Sequence, residues 1–158
     1  MDAKIRILIA DDHQIVRMGL MTIFAKEPDL EVVGEARNGI EAVRLCRELR
    51  PNVVLMDLMM PKKSGADATP EILAADPSAK VLVLTTFSES EEVRRALDAG
   101  ACGALIKDTP YDKLVAAIRA VARGRHVVSP EIQQNLVARS AAPELSARQL
   151  EILRLVAD

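Results

Sequence analysis

Tryptophan is missing from this chain, and rings of any kind are scarce: Phe24, Phe87 and Tyr111 are the only aromatic residues among 158. A base-stacking platform for single-stranded nucleic acid, or an aromatic sandwich around a flavin, would need more. Cysteine is almost as rare. Cys46 and Cys102 lie far apart and make no metal-type pair, which suits small core residues in a reducing compartment. Neither sign of charge is in excess, since 21 basic and 23 acidic residues leave a net −2. That excludes a nucleic-acid or membrane binder defined by bulk positive charge. No basic-then-apolar segment opens the chain and no apolar run approaches the length of a membrane span. The expectation is a soluble cytoplasmic protein with no membrane partner.

What is present is apolar and patterned. Hydrophobic residues make up 49% of the chain, enough for a sizeable core in one ordinary domain. Ile5 to Ala10 reads as a buried strand, and Val16, Leu20, Ile23 and Phe24 then recur on one face of a helix. Glu31–Glu35 is a second strand, followed by a helical stripe of Ala42, Leu45, Cys46 and Leu49 that Pro51 ends. Val53–Met56 is a third strand, running straight into Asp57. After a loop from Pro61 to Gly65 comes a helical stretch to about Ala75, in which Pro70 predicts a late or distorted start. Lys80–Leu84 is a fourth strand; Ser88 is a candidate cap for a helix to Ala99, closed by Gly100. Gly103–Ile106 is a fifth strand, and Leu114, Ile118 and Val121 mark a helix ending near Gly124.

Five strand-then-helix repetitions imply an α/β fold with a parallel sheet covered on both faces. Beyond Gly124 no further strand is expected. Ser129-Pro130-Glu131 looks like a helix start with Ile132 and Leu136 on one face, Arg139 to Pro143 like a linker, and Ser146 like the cap of a final helix from Ala147 to Ala157. The organisation expected is a domain over 1–124, a linker with a helix over 125–143, and one further helix over 144–158. The first 110 residues carry net −4 and the remaining 48 net +2, a weak asymmetry of acidic module and more basic tail.

The chemistry sits at the carboxyl ends of the strands, where open parallel sheets bind ligands. Strand one ends in Asp11 and Asp12, strand three in Asp57, strand four in Thr85 and Thr86, strand five in Lys107. Carboxylates brought together repel one another unless a cation offsets them, and hard oxygen ligands suit Mg²⁺. Lys107 adds a positive point charge and Thr85 a hydroxyl. A carboxylate beside Mg²⁺, an ammonium and a hydroxyl make a phosphoryl-acceptor site. The duller readings are an acidic pair that only caps the first helix, an ordinary β-branched Thr85 and a surface Lys107. His13 reads as a partly exposed residue at a helix start rather than a ligand.

Asp11-Asp12, the run Met56-Asp57-Leu58-Met59-Met60-Pro61 with Gly65, Thr85 and Lys107 together resemble the receiver domain of two-component response regulators, over about residues 4–124. The resemblance implies a flavodoxin-like (CheY-like) sheet of five parallel strands, order 2-1-3-4-5. It implies phosphorylation of Asp57 by a sensor histidine kinase. Mg²⁺ would be held by Asp11, Asp12, Asp57 and the backbone carbonyl of Met59, and Thr85 and Lys107 would contact the phosphoryl group. Ala10-Asp11-Asp12-His13, Val16-Arg17-Met18-Gly19-Leu20, Leu84-Thr85-Thr86-Phe87 and Leu105-Ile106-Lys107-Asp108 resemble the NarL/FixJ group, whose output is a LuxR-type helix-turn-helix. Leu145 to Leu153 looks like the opening of that output domain, with Gln149 where the family usually has Glu. On this reading the longer parent binds promoter DNA, a homodimer is possible, and a chain stopping at Asp158 should lack the helices that enter a major groove.

Two departures from the family pattern stand out. The aromatic residue usual three positions before the lysine is Ala104, and the proline usual after it is Asp108. Switching should then rely on the Thr85 hydroxyl and loop movement, or be weaker. Three rival readings fit the sequence less well. A stand-alone phospho-switch module with no DNA role would not need the apolar tail helix. A Mg²⁺-dependent phosphatase would want a carboxylate soon after Asp57, where Leu58, Met59 and Met60 stand. A flavodoxin would want a phosphate loop where the acidic pair lies. The activity expected is self-phosphorylation and autodephosphorylation, without metabolic catalysis.

Overall fold

The computed structural model describes residues 3–86 and 90–140. Six strands, β1 (Ile5–Ala10), β2 (Leu30–Ala36), β3 (Val53–Asp57), β4 (Lys80–Thr85), β5 (Gly103–Ile106) and β6 (Val127–Val128), form one parallel sheet in the order β2-β1-β3-β4-β5-β6. The helices are α1 (Gln14–Phe24), α2 (Gly39–Leu49), α3 (Gly65–Ala75), α4 (Ser90–Asp98), α5 (Tyr111–Ala122) and α6 (Pro130–Ser140). The order 2-1-3-4-5 is as expected. The sixth strand is not, and corrects the expectation that no strand follows Gly124. Two residues are too short for periodicity to register. Gly103 lets the pair form, because a Cβ there would stand 2.1 Å from the Val127 carbonyl oxygen.

Alternate residues of the buried strands feed two cores. Leu8, Val54, Met56, Val81, Val83 and Ala104 face α2, α3 and α4, where Ile132 and Leu136 of α6 join them. Ile7, Ile9, Leu55, Leu82, Leu84 and Leu105 face α1 and α5 through Leu20, Phe24, Leu114 and Ile118. Burial on both faces explains why these strands are apolar almost throughout.

Helix ends follow their local signals. Asn38 and Ser64 cap α2 and α3, accepting from the Glu41 and Asp67 amides. Arg50 takes the left-handed conformation that closes α2 before Pro51, and Gly100 and Gly124 have positive φ after α4 and α5. The late start expected of α3 is corrected. The helix begins at Gly65, where Ser64 caps it, and it accommodates Pro70 in its second turn, at the expense of the Ala66 carbonyl, which loses its helical donor. The cap expected of Ser88, the linker after Ser140 and the final helix from Ala147 lie outside the described residues. Among the described residues, no helix is long and apolar enough to cross a membrane.

Candidate functional site

Strand register delivers the site one step at a time. Ala10 pairs with Met56, so Asp11 and Asp57 follow side by side. Asp57 pairs with Leu84, which brings Thr85 next to it, and Thr85 pairs with Ile106, so Lys107 comes next. The Lys107 amide donates to the Thr85 carbonyl at 2.8 Å, fixing the last pair.

Side chains converge accordingly. Ligand atoms from Asp11, Asp12, His13 and Asp57 all lie within 4.8 Å of one another. Asp11 and Asp57 are buried, and Asp12 is half-buried. Lys107 Nζ stands 3.2 Å from Asp57 Oδ1 and 3.4 Å from Asp11 Oδ2. Burial draws the Lys107 ammonium down, but the facing Asp57 and Asp11 carboxylates outweigh it and raise its pKa overall. The lysine is therefore a fixed cation at neutral pH.

Asp11 is held at every polar atom. Its amide donates to the Ala36 carbonyl at 3.0 Å, its Oδ1 accepts from the His13 amide at 2.8 Å, its Oδ2 faces Lys107, and its carbonyl accepts from Arg17 Nη1 at 2.8 Å. The positive end of α1 begins just beyond the acidic pair. Neither acid caps α1 in the ordinary way: the N-cap residue is His13, and its side chain makes no capping bond.

The arrangement fits a hard divalent cation. Three carboxylates share one small space, and the buried Asp12 Oδ1 has only the His13 ring nitrogen, at 3.1 Å, beside it. Asp11, Asp12 and Asp57 supply the oxygen donors that Mg²⁺ prefers over the His13 imidazole. Met59 lies in the loop after β3 with an exposed side chain, so any part it plays falls to its backbone carbonyl. Thr85 is fully buried at the end of β4, with its hydroxyl donating to the Thr86 carbonyl at 3.2 Å.

Gly65 closes the floor of the site. Its amide donates to the Leu58 carbonyl at 2.9 Å, and a Cβ at this position would stand 2.3 Å from the Asp57 carbonyl oxygen. The structure thus brings together Asp11, Asp12, Asp57 and Lys107, with Thr85 at the same edge. It brings in one residue the sequence reading set aside, His13, and one it did not single out, Arg17. His13 Nδ1 lies 3.1 Å from both Asp11 Oδ1 and Asp12 Oδ1, although its side chain is mostly exposed. Arg17 is buried, and it shares the face of α1 that carries Leu20 and Phe24. That spacing was the available signal: a charge on an apolar stripe needs a partner.

The known proteins this chain resembles share its family and fold. The model of the response regulator receiver domain matches residues 7–119. The response regulator protein VraR of Staphylococcus aureus is 40% identical over 97% of this chain and 76% of its own length. A LuxR-family two-component response regulator from Aurantimonas sp. SI85-9A1 superposes with a TM-score of 0.81 at 37% identity, covering 89% of this chain and all of that one. The receiver domain of the putative response regulator NarL from Mycobacterium tuberculosis does so with a TM-score of 0.74 at 32% identity, over 78% of this chain and all of that one. With its family model spanning well over half the chain, and its relatives of the LuxR and NarL kind, this protein belongs to the response regulator receiver family and is of the NarL/FixJ type.

Proposed function

We propose that this protein is a phosphorylation-controlled switch in which Asp57 accepts a phosphoryl group from a sensor histidine kinase with Mg²⁺ bound beside it. The observation that carries this reading is the buried Asp57 carboxylate, 3.2 Å from Lys107 and grouped with two further carboxylates within 4.8 Å. An Asp57 oxygen attacks phosphorus, the phosphorus–nitrogen bond to the donor histidine breaks, and the electron pair stays on the departing imidazole. Bound Mg²⁺, held by Asp11, Asp12, Asp57 and the Met59 carbonyl, would neutralise charge on the phosphoryl oxygens. Lys107 shares that task, and on transfer it exchanges its carboxylate partner for a phosphoryl oxygen. The Thr85 hydroxyl moves its donated proton from the Thr86 carbonyl to the same group. Because Lys107 directly follows β5 and Thr85 ends β4, their shift is passed to the outer half of the sheet. The reaction is self-phosphorylation and autodephosphorylation only, in the cytoplasm.

The output in this reading is transcriptional. The sequence of residues 144–158 resembles the opening of a LuxR-type DNA-binding domain, so the target of the switch would be promoter DNA. Intact-protein mass after incubation with Mg²⁺ and a small phosphodonor tests the acceptor. One phosphoryl group is expected, absent in Asp57→Asn and absent with a chelator. An adduct that survives the substitution would move the acceptor elsewhere. No adduct in the wild type, with Mg²⁺ binding verified and hydrolysis shown slower than detection, would end the reading.

A further inference from the structure

We propose that Arg17 is a positioning residue for the cation site, acting on the peptide that joins its two leading ligands. The inference rests on reading the carboxylate cluster as a Mg²⁺ site and names a device within it. Arg17 lies in the first turn of α1, buried on the face that also carries Leu20 and Phe24. Its Nη1 donates to the Asp11 carbonyl oxygen at 2.8 Å, and its Nε donates to Glu35 Oε1 at 2.9 Å. The Asp11 carbonyl belongs to the Asp11–Asp12 peptide, so one bond sets the plane from which both carboxylates project. The Ala36 carbonyl holds the Asp11 amide at 3.0 Å, leaving the far peptide as the remaining hinge.

Packing alone gives little reason for a guanidinium here. Neighbouring positions of α1 belong to an apolar cluster, where a residue such as Met would fill similar space without the cost of burying charge. Glu35 is partly exposed and stays solvated without its partner. What an apolar side chain cannot do is donate to the Asp11 carbonyl while being anchored on β2. Lysine carries the charge but lacks the fork that reaches both acceptors. The Glu35 carboxylate fixes the guanidinium, the guanidinium fixes the peptide, and the peptide fixes Asp11 and Asp12. Partners of this kind behind metal ligands typically govern affinity by about 10- to 100-fold.

Isothermal titration of the full chain with Mg²⁺, paired with thermal unfolding, tests the assignment on Arg17→Met, Arg17→Lys, Glu35→Gln and Asp11→Asn. For Arg17→Met, Mg²⁺ affinity should fall at least about tenfold while the protein stays folded. Arg17→Lys should fall less and Glu35→Gln less again, in that order. A residue that only supported the fold would lower the unfolding temperature without changing the affinity of the folded protein. Folded Arg17→Met with a Mg²⁺ affinity within about twofold of wild type overturns the proposal. Should Arg17→Met not fold, an unchanged affinity in folded Arg17→Lys overturns it instead, and a weakened one supports it. Wild type and Asp11→Asn binding Mg²⁺ equally poorly would remove the cation site itself, and the proposal with it.

Discussion

Adding a single methyl group at Gly65 should damage both the stability and the acceptor. Gly65 is the first residue of α3, and a Cβ there would meet the Asp57 carbonyl oxygen at 2.3 Å, Met56 Cγ at 2.8 Å and the Leu58 Cα at 3.0 Å. Two of these three neighbours are backbone, so no rotamer change relieves the contact. Overpacking of this kind costs about 1–3 kcal/mol, and backbone contacts belong at the upper end. Two effects oppose it. Alanine is favoured over glycine in a helix by up to about 1 kcal/mol, and it narrows the unfolded ensemble by about 0.4–1 kcal/mol. The opposing terms overlap and are weakest at the first helical position, so the clash prevails. Gly65→Ala should destabilise by about 1–2 kcal/mol, lowering Tm by about 2–8 °C for a domain this size.

Function should suffer more than stability. Relief of the contact moves the Asp57 peptide away from α3, and with it a carboxylate that must sit in line with phosphorus. Small misplacements of reacting groups can cost about 100-fold, so phosphorylation by a small phosphodonor should slow by more than about tenfold. Gly19→Ala supplies the control in the same denaturation assay. Gly19 lies within α1 with nothing within 4 Å of a new Cβ, so alanine there should stabilise by up to about 1 kcal/mol. A Gly65→Ala protein with a Tm at or above wild type and an undiminished phosphorylation rate would refute the steric reasoning.

Three other outcomes are expected. Burial pushes the Cys46 thiol up to about 12, with Asp76 adding to the effect, so an alkylating reagent at pH 8 should label Cys46 only after unfolding; rapid native labelling would contradict its burial. Arg119 donates to Asp29 and Glu27 from α5, and its bonds hold the Asp29 carboxyl below the ordinary carboxylate range. The folded value is lowered, so the stabilisation is present above the unfolded value and is lost as pH falls through the folded one. Being exposed, it should amount to less than about 1 kcal/mol and shrink in salt, and the Asp29→Asn difference in urea midpoint should vanish in strong acid. Ile132 of α6 is nearly fully buried against β5 and α4, and Ile132→Ala should cost about 2–4 kcal/mol locally. Amide exchange should accelerate across 130–136 and stay slow in β1 and β3; uniform acceleration would show that α6 opens only with the whole domain.

The site was legible because a parallel sheet converts sequence into position. Asp11, Asp57, Thr85 and Lys107 each follow an apolar run, and successive strand pairings place such ends on one edge. What the sequence concealed was what lies beside those ends. Arg17 sits on the apolar stripe of α1, but only α1 set against β2 shows that Glu35 receives it. His13 reads as a helix-start residue, which it is, and only the loop geometry shows its ring between two carboxylates. Strand β6 escaped because pairing, not periodicity, defines a two-residue strand, and the glycine that permits the pairing stands on β5. At α3 the start is set by the Ser64 cap, six residues before Pro70, so the proline falls inside the helix and does not delay it.

The absence of a ring at position 104 changes meaning once α6 is in place. Ala104 is fully buried and points to the face that α4 covers. Ile132 and Leu136 of α6 enter the same cluster, and Arg94 of α4 donates to the Leu136 carbonyl at 3.4 Å. A small residue on β5 and an extra helix across β5 and α4 are thus two parts of one packing arrangement. The ties between α6 and the acceptor edge are short. The Ser129 amide donates to the Ala104 carbonyl at 2.9 Å, and the Ser129 hydroxyl accepts from the Ile106 amide at 3.2 Å. The Thr109 hydroxyl donates to the Ile106 carbonyl on the other side of that residue. Lys107 therefore leaves a strand whose last residue is held by the start of α6. A bulky side chain at 104 would compete with Ile132 for the same volume, and interiors at near-crystalline density do not accommodate both.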